Sequence, residues 1–161
     1  MVNRKQFEGE RSLQLIQFAT WGGFVGQALV EEAQVAIDLS TTYNETNRML
    51  EIAVGTISLE SISEPLNLTV LISEDDIQDV QLTPDGIRND YAQTHTFRTM
   101  VTNVFGDALS TNLNSGERVD KNYTFTLPSD WVAENCSVVV FVHQASDGIE
   151  VLQVEDTKVT E

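Results

Sequence analysis

The chain has 161 residues, and its 25 acidic side chains outnumber its 9 Lys and Arg, which gives a formal net charge of −16. Nucleic-acid binding requires clustered cations that displace the counterions of the phosphates, so this composition excludes it. The same charge opposes binding to an anionic membrane surface. With 41% hydrophobic residues, a chain of this length is expected to fold around one main core.

The chain carries no sign of a membrane span or of a disulfide framework. No window approaches the roughly 20 consecutive apolar residues of a transmembrane helix, so no transmembrane segment is expected. The charged N-terminus is not followed by an apolar stretch, so no signal peptide is expected either. The single cysteine, Cys136, excludes an intrachain disulfide and a Cys-rich zinc site.

Residues 1–32 are predicted to be helical. An apolar stripe at the i, i+3, i+4, i+7, i+8 spacing indicates an amphipathic helix over Trp21, Phe24, Val25, Ala28 and Leu29. Thr20 is the expected N-cap, and Leu13, Leu15 and Phe18 either form a short strand or join the helix. Three glycines each weaken the helix by up to ~1 kcal/mol, so it should depend on packing against another surface.

From about residue 34 the apolar residues alternate with polar ones, which predicts seven or eight half-buried strands. Alternation or continuous apolar character marks residues 35–40, 50–55, 66–73, 97–102, 119–127, 138–142 and 149–152. The run 138–142 is apolar on both faces and is typical of a central strand. Asp147 and Gly148 predict a hairpin between the last two strands.

These strands predict a mainly β, antiparallel sandwich over residues 33–161, preceded by one N-terminal helix. Turn-rich stretches separate the strands, and no helices are available to cover a parallel sheet. A closed barrel is the competing architecture, but the uneven strand spacing favours two packed sheets.

An acidic run offers the only candidate metal ligands. Glu74, Asp75, Asp76 and the nearby Asp79 provide oxygen ligands of the kind that calcium binds in a loop between strands. The run lacks the glycine and the spacing of an EF-hand loop. Like charges in sequence normally stay in water, so a solvated turn is favoured over a calcium site.

The two histidines do not indicate a catalytic or metal site. His95 and His143 are too few for a site built mainly from imidazole. His95 alternates with Phe97, Thr99 and Val101, so a packed, hydrogen-bonded strand histidine is expected. The sequence also lacks the hydrolase, nucleotide-binding and zinc-protease signatures, so no catalytic residue and no cofactor is predicted.

The aromatic residues of the C-terminal half are predicted to belong to the core. Trp131 is expected to close one end of the core, with Tyr123, Phe125 and Phe141 in the same packing set. Cys136, just before the apolar run, is expected to act as a small buried hydrophobe.

Eight residues within the stretch Leu66 to Val154 form a further pattern. The pattern comprises a Tyr, a His and an Arg before a Phe-Gly pair, a Trp and an Asn before the valine-rich strand, and a Val-Leu-Gln near the end. Its members are Tyr91, His95, Arg98, Gly106, Trp131, Asn135, Phe141 and Gln153. In these residues the chain resembles the C-terminal part of the twenty-eight-kilodalton outer membrane protein (Omp) family of Gram-negative bacteria, and structural roles are expected for them.

The resemblance implies an exported, often lipid-anchored protein in which an immunoglobulin-like sandwich follows a thioredoxin-like domain. On that basis residues 1–32 are expected to be a remnant of the thioredoxin-like domain, and residues 33–161 the immunoglobulin-like sandwich. The implied location is the bacterial cell envelope, at the outer membrane. The chain has no CxxC, so redox activity is not transferred to it.

The leading hypothesis is a non-catalytic structural or interaction module, adhesin- or receptor-like, of an outer-membrane-associated protein. Its partner would be another envelope or surface protein, or its own upstream domain. An alternative is a carbohydrate- or calcium-dependent binding domain that uses the loops around Glu74 to Asp79 and Asn112 to Gly116. A second alternative is an accessory domain of an envelope thiol-disulfide protein.

Overall fold

The computed structural model describes residues 2–8, 18–145 and 149–160. Within these ranges it has one α-helix, one short 3-10 helix at Ala133–Asn135 and ten strands. The elements are α1 (Phe18–Leu29), β1 (Val35–Asn44), β2 (Met49–Ser58), β3 (Leu66–Glu74), β4 (Ile77–Thr83), β5 (Gly86–Gln93), β6 (Thr96–Met100), β7 (Asp107–Ser110), β8 (Arg118–Thr126), β9 (Cys136–Gln144) and β10 (Val151–Lys158). The fold is therefore mainly β.

Two antiparallel sheets enclose the core. One sheet has the strand order β1-β2-β8, and the other has the order β10-β9-β3-β6. Strand β7 also pairs with β3, at residues 66–68, while β6 pairs with residues 71–74. The core lies between the sheets because alternate residues of each strand point to one face.

The central strands of both sheets supply most of the buried side chains. These are Leu50, Ile52 and Val54 of β2, Leu66, Leu68, Val70 and Ile72 of β3, and Cys136, Val138, Val140 and Val142 of β9. Full burial of an aliphatic side chain of this size contributes roughly 1.5–3 kcal/mol. Alternation in the sequence identified β2 and β3, and the continuous apolar run 138–142 identified β9.

The expected count of seven to eight strands is too low. Each of the seven predicted stretches corresponds to a strand, but β4, β5 and β7 were not expected. Strands β4 and β5 lie outside the two sheets and are mostly exposed, so no buried face imposes alternation on them. Strand β7 has only four residues, too few for a clear period.

The predicted C-terminal aromatic set is correct for three residues and wrong for Phe141. Trp131 is buried and stacks on Phe125, with 5.8 Å between ring centroids, and Tyr123 packs against the same core. Phe141 lies on the opposite face of β9, where the Arg4 guanidinium sits 5.0 Å from its ring centroid. When a run is apolar on both faces, the sequence does not show which set of alternate residues points into the core.

The predicted pairing of the last two strands is confirmed. Strands β9 and β10 form an antiparallel pair from Val151 opposite His143 to Lys158 opposite Ser137. The turn at Asp147 and Gly148 lies outside the described residues.

Helix α1 begins at Phe18, so Thr20 lies within it instead of capping it. The helix packs through Phe24 against Phe7, with 4.5 Å between ring centroids, and Phe7 is buried. Leu13 and Leu15 lie outside the described residues. In the ranges that the structure describes, no helix is long and apolar enough to cross a membrane.

Residues 2–8 connect this helix to the sheets. The Lys5 ammonium bonds the Glu31 carboxylate at 2.7 Å and lies 3.2 Å from Glu150. The backbone N–H of Val151, the first residue of β10, donates to Asn3 O at 2.8 Å. Residues 2–8 thus provide the packing surface on which the helix was expected to depend.

A buried polar contact fixes the connection between β6 and β7 against β9. His143 Nδ1 donates to Gln144 O at 2.9 Å, and Nε2 accepts from the Thr69 hydroxyl at 3.1 Å. Burial lowers the pKa of His143, so the neutral imidazole is favoured. Gly106 has φ +80° here, and a Cβ on it would lie 2.9 Å from His143 Nε2, Thr69 Oγ1 and Leu68 O.

We predict that Gly106→Ala destabilises the protein considerably more than Gly116→Ala. Gly116 has φ +82° with open space around it, so Ala there adds only the left-handed backbone cost of roughly 1–2 kcal/mol. Gly106→Ala adds a collision with a packed backbone and two buried side chains. Urea unfolding of both variants checks this, and equal losses would show that the packing around Gly106 is loose.

Candidate functional site

Strands β4 and β5 form a two-stranded arm, residues 77–93, that projects from the sandwich. They pair only with each other, and Thr83 opposite Gly86 closes a two-residue turn at Pro84 and Asp85. Pro84 presets φ for the turn, and Gly86 adopts φ +117°. Most residues of the arm are exposed.

The arm continues the ladder between β3 and β6. Glu74 pairs with Thr96 in that ladder, and Ile77 pairs with Gln93 in the arm, so the register is the same on both sides of the break. Two residues on each strand interrupt it, 75–76 and 94–95. Asp76 and His95 have φ values of +61° and +52°, and these bends separate the arm from the sheet.

Asp75 holds the two strands together at this break. Its Oδ1 accepts the backbone N–H of His95 at 2.7 Å, and its Oδ2 accepts from Lys158 Nζ at 3.1 Å. Its own N–H donates to Asn135 O at 3.0 Å. The His95 N–H and, secondarily, Lys158 lower the pKa of Asp75, so its carboxylate stays charged near neutral pH.

Glu74, one residue earlier, is 4% exposed and forms a second anchor. Its Oε1 accepts the backbone N–H of Val132 at 2.8 Å. Its Oε2 lies 3.2 Å from Arg98 Nε without hydrogen-bond alignment, so that contact is mainly electrostatic. The Arg98 guanidinium also covers the Trp131 ring, 4.6 Å from its centroid, and lies 3.6 Å from Asp130. Each oxygen of the buried Glu74 carboxylate therefore has a compensating group, the Val132 N–H for one and the Arg98 guanidinium for the other.

The interpretation of the acidic run as a solvated turn is wrong for its first residue. Glu74 ends β3 and is buried, because Arg98 and the Val132 N–H compensate its charge. Asp76 accepts from Gln78 Nε2, and Asp79 accepts the N–H of Val80. Nowhere in residues 2–8, 18–145 and 149–160 do three or more His, Cys, Asp or Glu side chains assemble into a group that could hold a metal.

His95 is not the packed strand histidine that its sequence position predicts. Its side chain is 85% exposed, and it lies at the bend between β5 and β6. The break in the ladder removes it from the alternating face. The packed, hydrogen-bonded histidine is His143.

The residues of the family pattern fall into groups. Arg98, Trp131 and Asn135 meet around Glu74 and Asp75. Gly106 and Phe141 both contact His143. Tyr91 lies on β5 of the arm, and Gln153 lies on β10, where its Oε1 accepts the N–H of Val154.

The arm exposes three large apolar side chains on one face. Val80, Leu82 and Ile87 are 57%, 74% and 71% exposed. Leu82 lies opposite Ile87, and Val80 shares their face because it stands two residues before Leu82. We call these residues the apolar face of the arm. Sequence reasoning missed it, although two alternating apolar residues before a Pro-Asp-Gly turn are a hairpin signal.

The arm has more acidic than basic residues. Residues 77–93 contain Asp79, Asp85 and Asp90 but only one basic residue, Arg88. Arg88 Nε lies 3.8 Å from Asp90 Oδ1. The arm therefore combines exposed apolar surface with negative charge.

Cys136 is the buried free cysteine that the sequence predicts. Its thiol pKa is raised to about 11, first by burial and then by the nearby Glu74 carboxylate. A protonated thiol is a poor nucleophile. Cys136 thus serves as a core side chain.

Fold and site together define a mainly β, antiparallel domain whose distinguishing feature is a projecting apolar arm with an acidic anchor. The sequence matches the family described as Outer membrane protein Omp28 over residues 2–161. The chain belongs to this family, which is a family of outer membrane proteins. The match extends on both sides of the stretch Leu66 to Val154 that carries the resemblance.

Among solved structures, the chain is similar to a domain of the outer membrane lipoprotein Omp28 from Porphyromonas gingivalis. The two are 23% identical, the match covers 81% of this chain and 91% of that one, and the TM-score is 0.55. This likeness shows a shared fold. The E. coli curli protein CsgC is 12% identical, with 76% and 96% of the chains covered and a TM-score of 0.36. No curated protein matches the sequence.

We predict that Arg98→Met costs about 2–4 kcal/mol of unfolding free energy, because it leaves the buried Glu74 carboxylate without its cation and removes the contact with Trp131. The matched control is Arg118→Met. Arg118 pairs with Asp38 and Asp120 at the surface, and surface pairs contribute little. Denaturant melts of both variants decide this, and similar losses would contradict the anchoring role of Arg98.

Proposed function

We propose that the chain is a non-catalytic, adhesin- or receptor-like interaction module of an outer-membrane-associated protein, and that it binds another envelope or surface protein through the arm. The apolar face formed by Val80, Leu82 and Ile87 carries this proposal. Single exposed apolar residues are ordinary, but a contiguous exposed patch marks an interaction site.

The physical state of the arm supports this role. A two-stranded hairpin without further packing is marginally stable in water. Covering the three side chains with a partner would contribute roughly 1–2 kcal/mol each. Because Glu74 and Asp75 already hold the base of the arm, little ordering entropy would oppose binding.

The chemistry of the buried polar groups also favours a non-catalytic role. The Cys136 thiol has its pKa raised to about 11, and both nitrogens of His143 are engaged by Thr69 and Gln144. The Glu74 carboxylate is engaged by Arg98 and Val132. These groups hold the fold together.

We further infer that the sandwich is of the immunoglobulin-like type. The order β1-β2-β8 facing β10-β9-β3 corresponds to A-B-E facing G-F-C. In this correspondence the arm is an insertion after strand C. Loops and hairpins at the end of such sandwiches commonly carry binding surfaces.

The test is site-specific photocrosslinking in the envelope of intact cells. We expect a photoreactive residue at Leu82 or Ile87 of the full-length protein to give an adduct of constant mass. The control position is Leu59, which follows β2 and is 49% exposed outside the arm. It should give no such adduct.

The absence of an adduct at Leu82 and Ile87, or equal adducts at Leu59, would overturn the proposed role of the arm. The proposed role would also be overturned if the adduct still formed after the two residues of the apolar face that do not carry the photoreactive group were replaced by Ser. That outcome would show that proximity, and not the apolar face, selects the partner.

A further inference from the structure

We propose that the partner of the arm is an extended, basic protein segment that adds as a strand to the outer edge of β4. The segment would present apolar residues at alternate positions, with Lys or Arg between them. This inference rests on the proposed function of the arm and specifies the chemistry of its ligand.

The hydrogen-bonding phase of the hairpin determines which backbone groups face outward. In a hairpin closed by a two-residue turn, the pair next to the turn is hydrogen-bonded, and the following pairs alternate. Thr83 and Gly86 form that closing pair, so the next pair, Leu82 and Ile87, is not hydrogen-bonded across the hairpin. The backbone N–H and C=O of Leu82, and by alternation those of Val80, therefore point away from β5.

Two local contacts agree with this phase. Asp79 Oδ1 accepts the N–H of Val80 at 2.7 Å, and Gln81 Nε2 donates to Leu82 O at 3.2 Å. Both contacts join neighbouring residues in the sequence and are solvent-exposed, so a strand can replace them at little cost. The Val80 N–H and the Leu82 C=O on the outer edge of β4 are thus bonded only by neighbouring side chains, and both remain available to an added strand.

The edge of β5 is less suited to strand addition. Between the pairs Asp79–Tyr91 and Gln81–Arg88, one residue of β4 faces two residues of β5, Asn89 and Asp90. A bulge of this kind bends the strand and disrupts its hydrogen-bonding row, which is how proteins protect sheet edges. Strand β4 carries no such irregularity.

The side chains of β4 specify the rest of the ligand. Val80 and Leu82 point to one face, where the alternate residues of an added strand would extend the apolar surface. Asp79 points to the opposite face, where Lys or Arg in the added strand would meet a carboxylate. The net negative charge of residues 77–93 favours the same cations.

Charge also argues against a second copy of this chain as the occupant. Each copy carries a net charge of −16, and pairing two arms would bring acidic surfaces together. An anionic lipid surface is opposed for the same reason and offers no strand to satisfy the outward N–H groups. A basic extended segment satisfies both requirements.

The experiment titrates the isotopically labelled chain with a blocked peptide of alternating Lys and Val, about seven residues long to match an ordinary strand. We expect slowed amide exchange at Val80 and Leu82 and an affinity that weakens as salt is added. A peptide of alternating Glu and Val serves as the charge control and should not protect these amides.

Leu82→Pro and Ile87→Pro are matched variants for this titration. Each removes one apolar side chain of the same cross-strand pair and one outward N–H, and neither breaks a hydrogen bond of the hairpin. Leu82→Pro should weaken peptide binding by at least roughly tenfold, about 1.4 kcal/mol. Ile87→Pro, on the β5 edge, should weaken binding by a clearly smaller factor, because it removes an apolar contact but no N–H that the added strand would bond.

Equal effects of the two proline variants, or protection on β5, would overturn the assignment to the β4 edge. Equal binding of the Glu peptide would overturn the charge assignment, and a concentration-dependent dimer that protects Val80 and Leu82 would replace the peptide segment with a second copy. If Leu82 crosslinks in cells while the Lys peptide fails to bind, the interaction role stands and the ligand chemistry is wrong. If neither occurs, both fail.

Discussion

Two adjacent carboxylates at the end of β3 determine how the arm is attached to the sandwich. The ladder between β3 and β6 breaks after Glu74, and the backbone there loses its regular partners for two residues on each strand. Buried or half-buried N–H groups need acceptors. Asp75 supplies one to the His95 N–H at this break, and Glu74 supplies one to the N–H of Val132 in the segment before β9.

The same carboxylates connect the arm to three other parts of the fold. Through Lys158 and Asn135, Asp75 reaches the end of β10 and the 3-10 helix before β9. Through Arg98, Glu74 reaches Trp131 and the core. A hairpin that would be marginal in isolation is therefore fixed at its base, while its tip keeps an apolar face in water. This combination suits an element whose remaining stabilisation comes from a partner.

How far the sequence predicts this structure depends on burial. Strands β2 and β3 have one face in the core, and their alternation revealed them, whereas a continuous apolar run revealed β9. The arm has no buried face, so its apolar residues follow no period that a core imposes. Phe141 was misplaced for a different reason. In a strand that is apolar on both faces, the sequence does not show which alternate residues point into the core.

The candidate site was even less accessible from sequence. Glu74 and Asp75 looked like solvated or calcium-binding groups because their partners, Arg98 and Lys158, lie far along the chain. The sequence around His95 predicts a strand because it contains no turn signal at the bend. In each case the deciding contact is a tertiary one, and the sequence does not reveal it.

The central claim is that Asp75 fixes the arm to the sandwich. The most direct test is the distance distribution between spin labels on Asn89 of the arm and Glu155 of β10, both exposed. Cys136 is buried with its pKa raised to about 11, so it should escape labelling. The account predicts one narrow distribution that broadens on Asp75→Ala and stays narrow on the neighbouring Asp76→Ala. A distribution that is already broad in the unaltered protein, or that Asp75→Ala leaves unchanged, would contradict it.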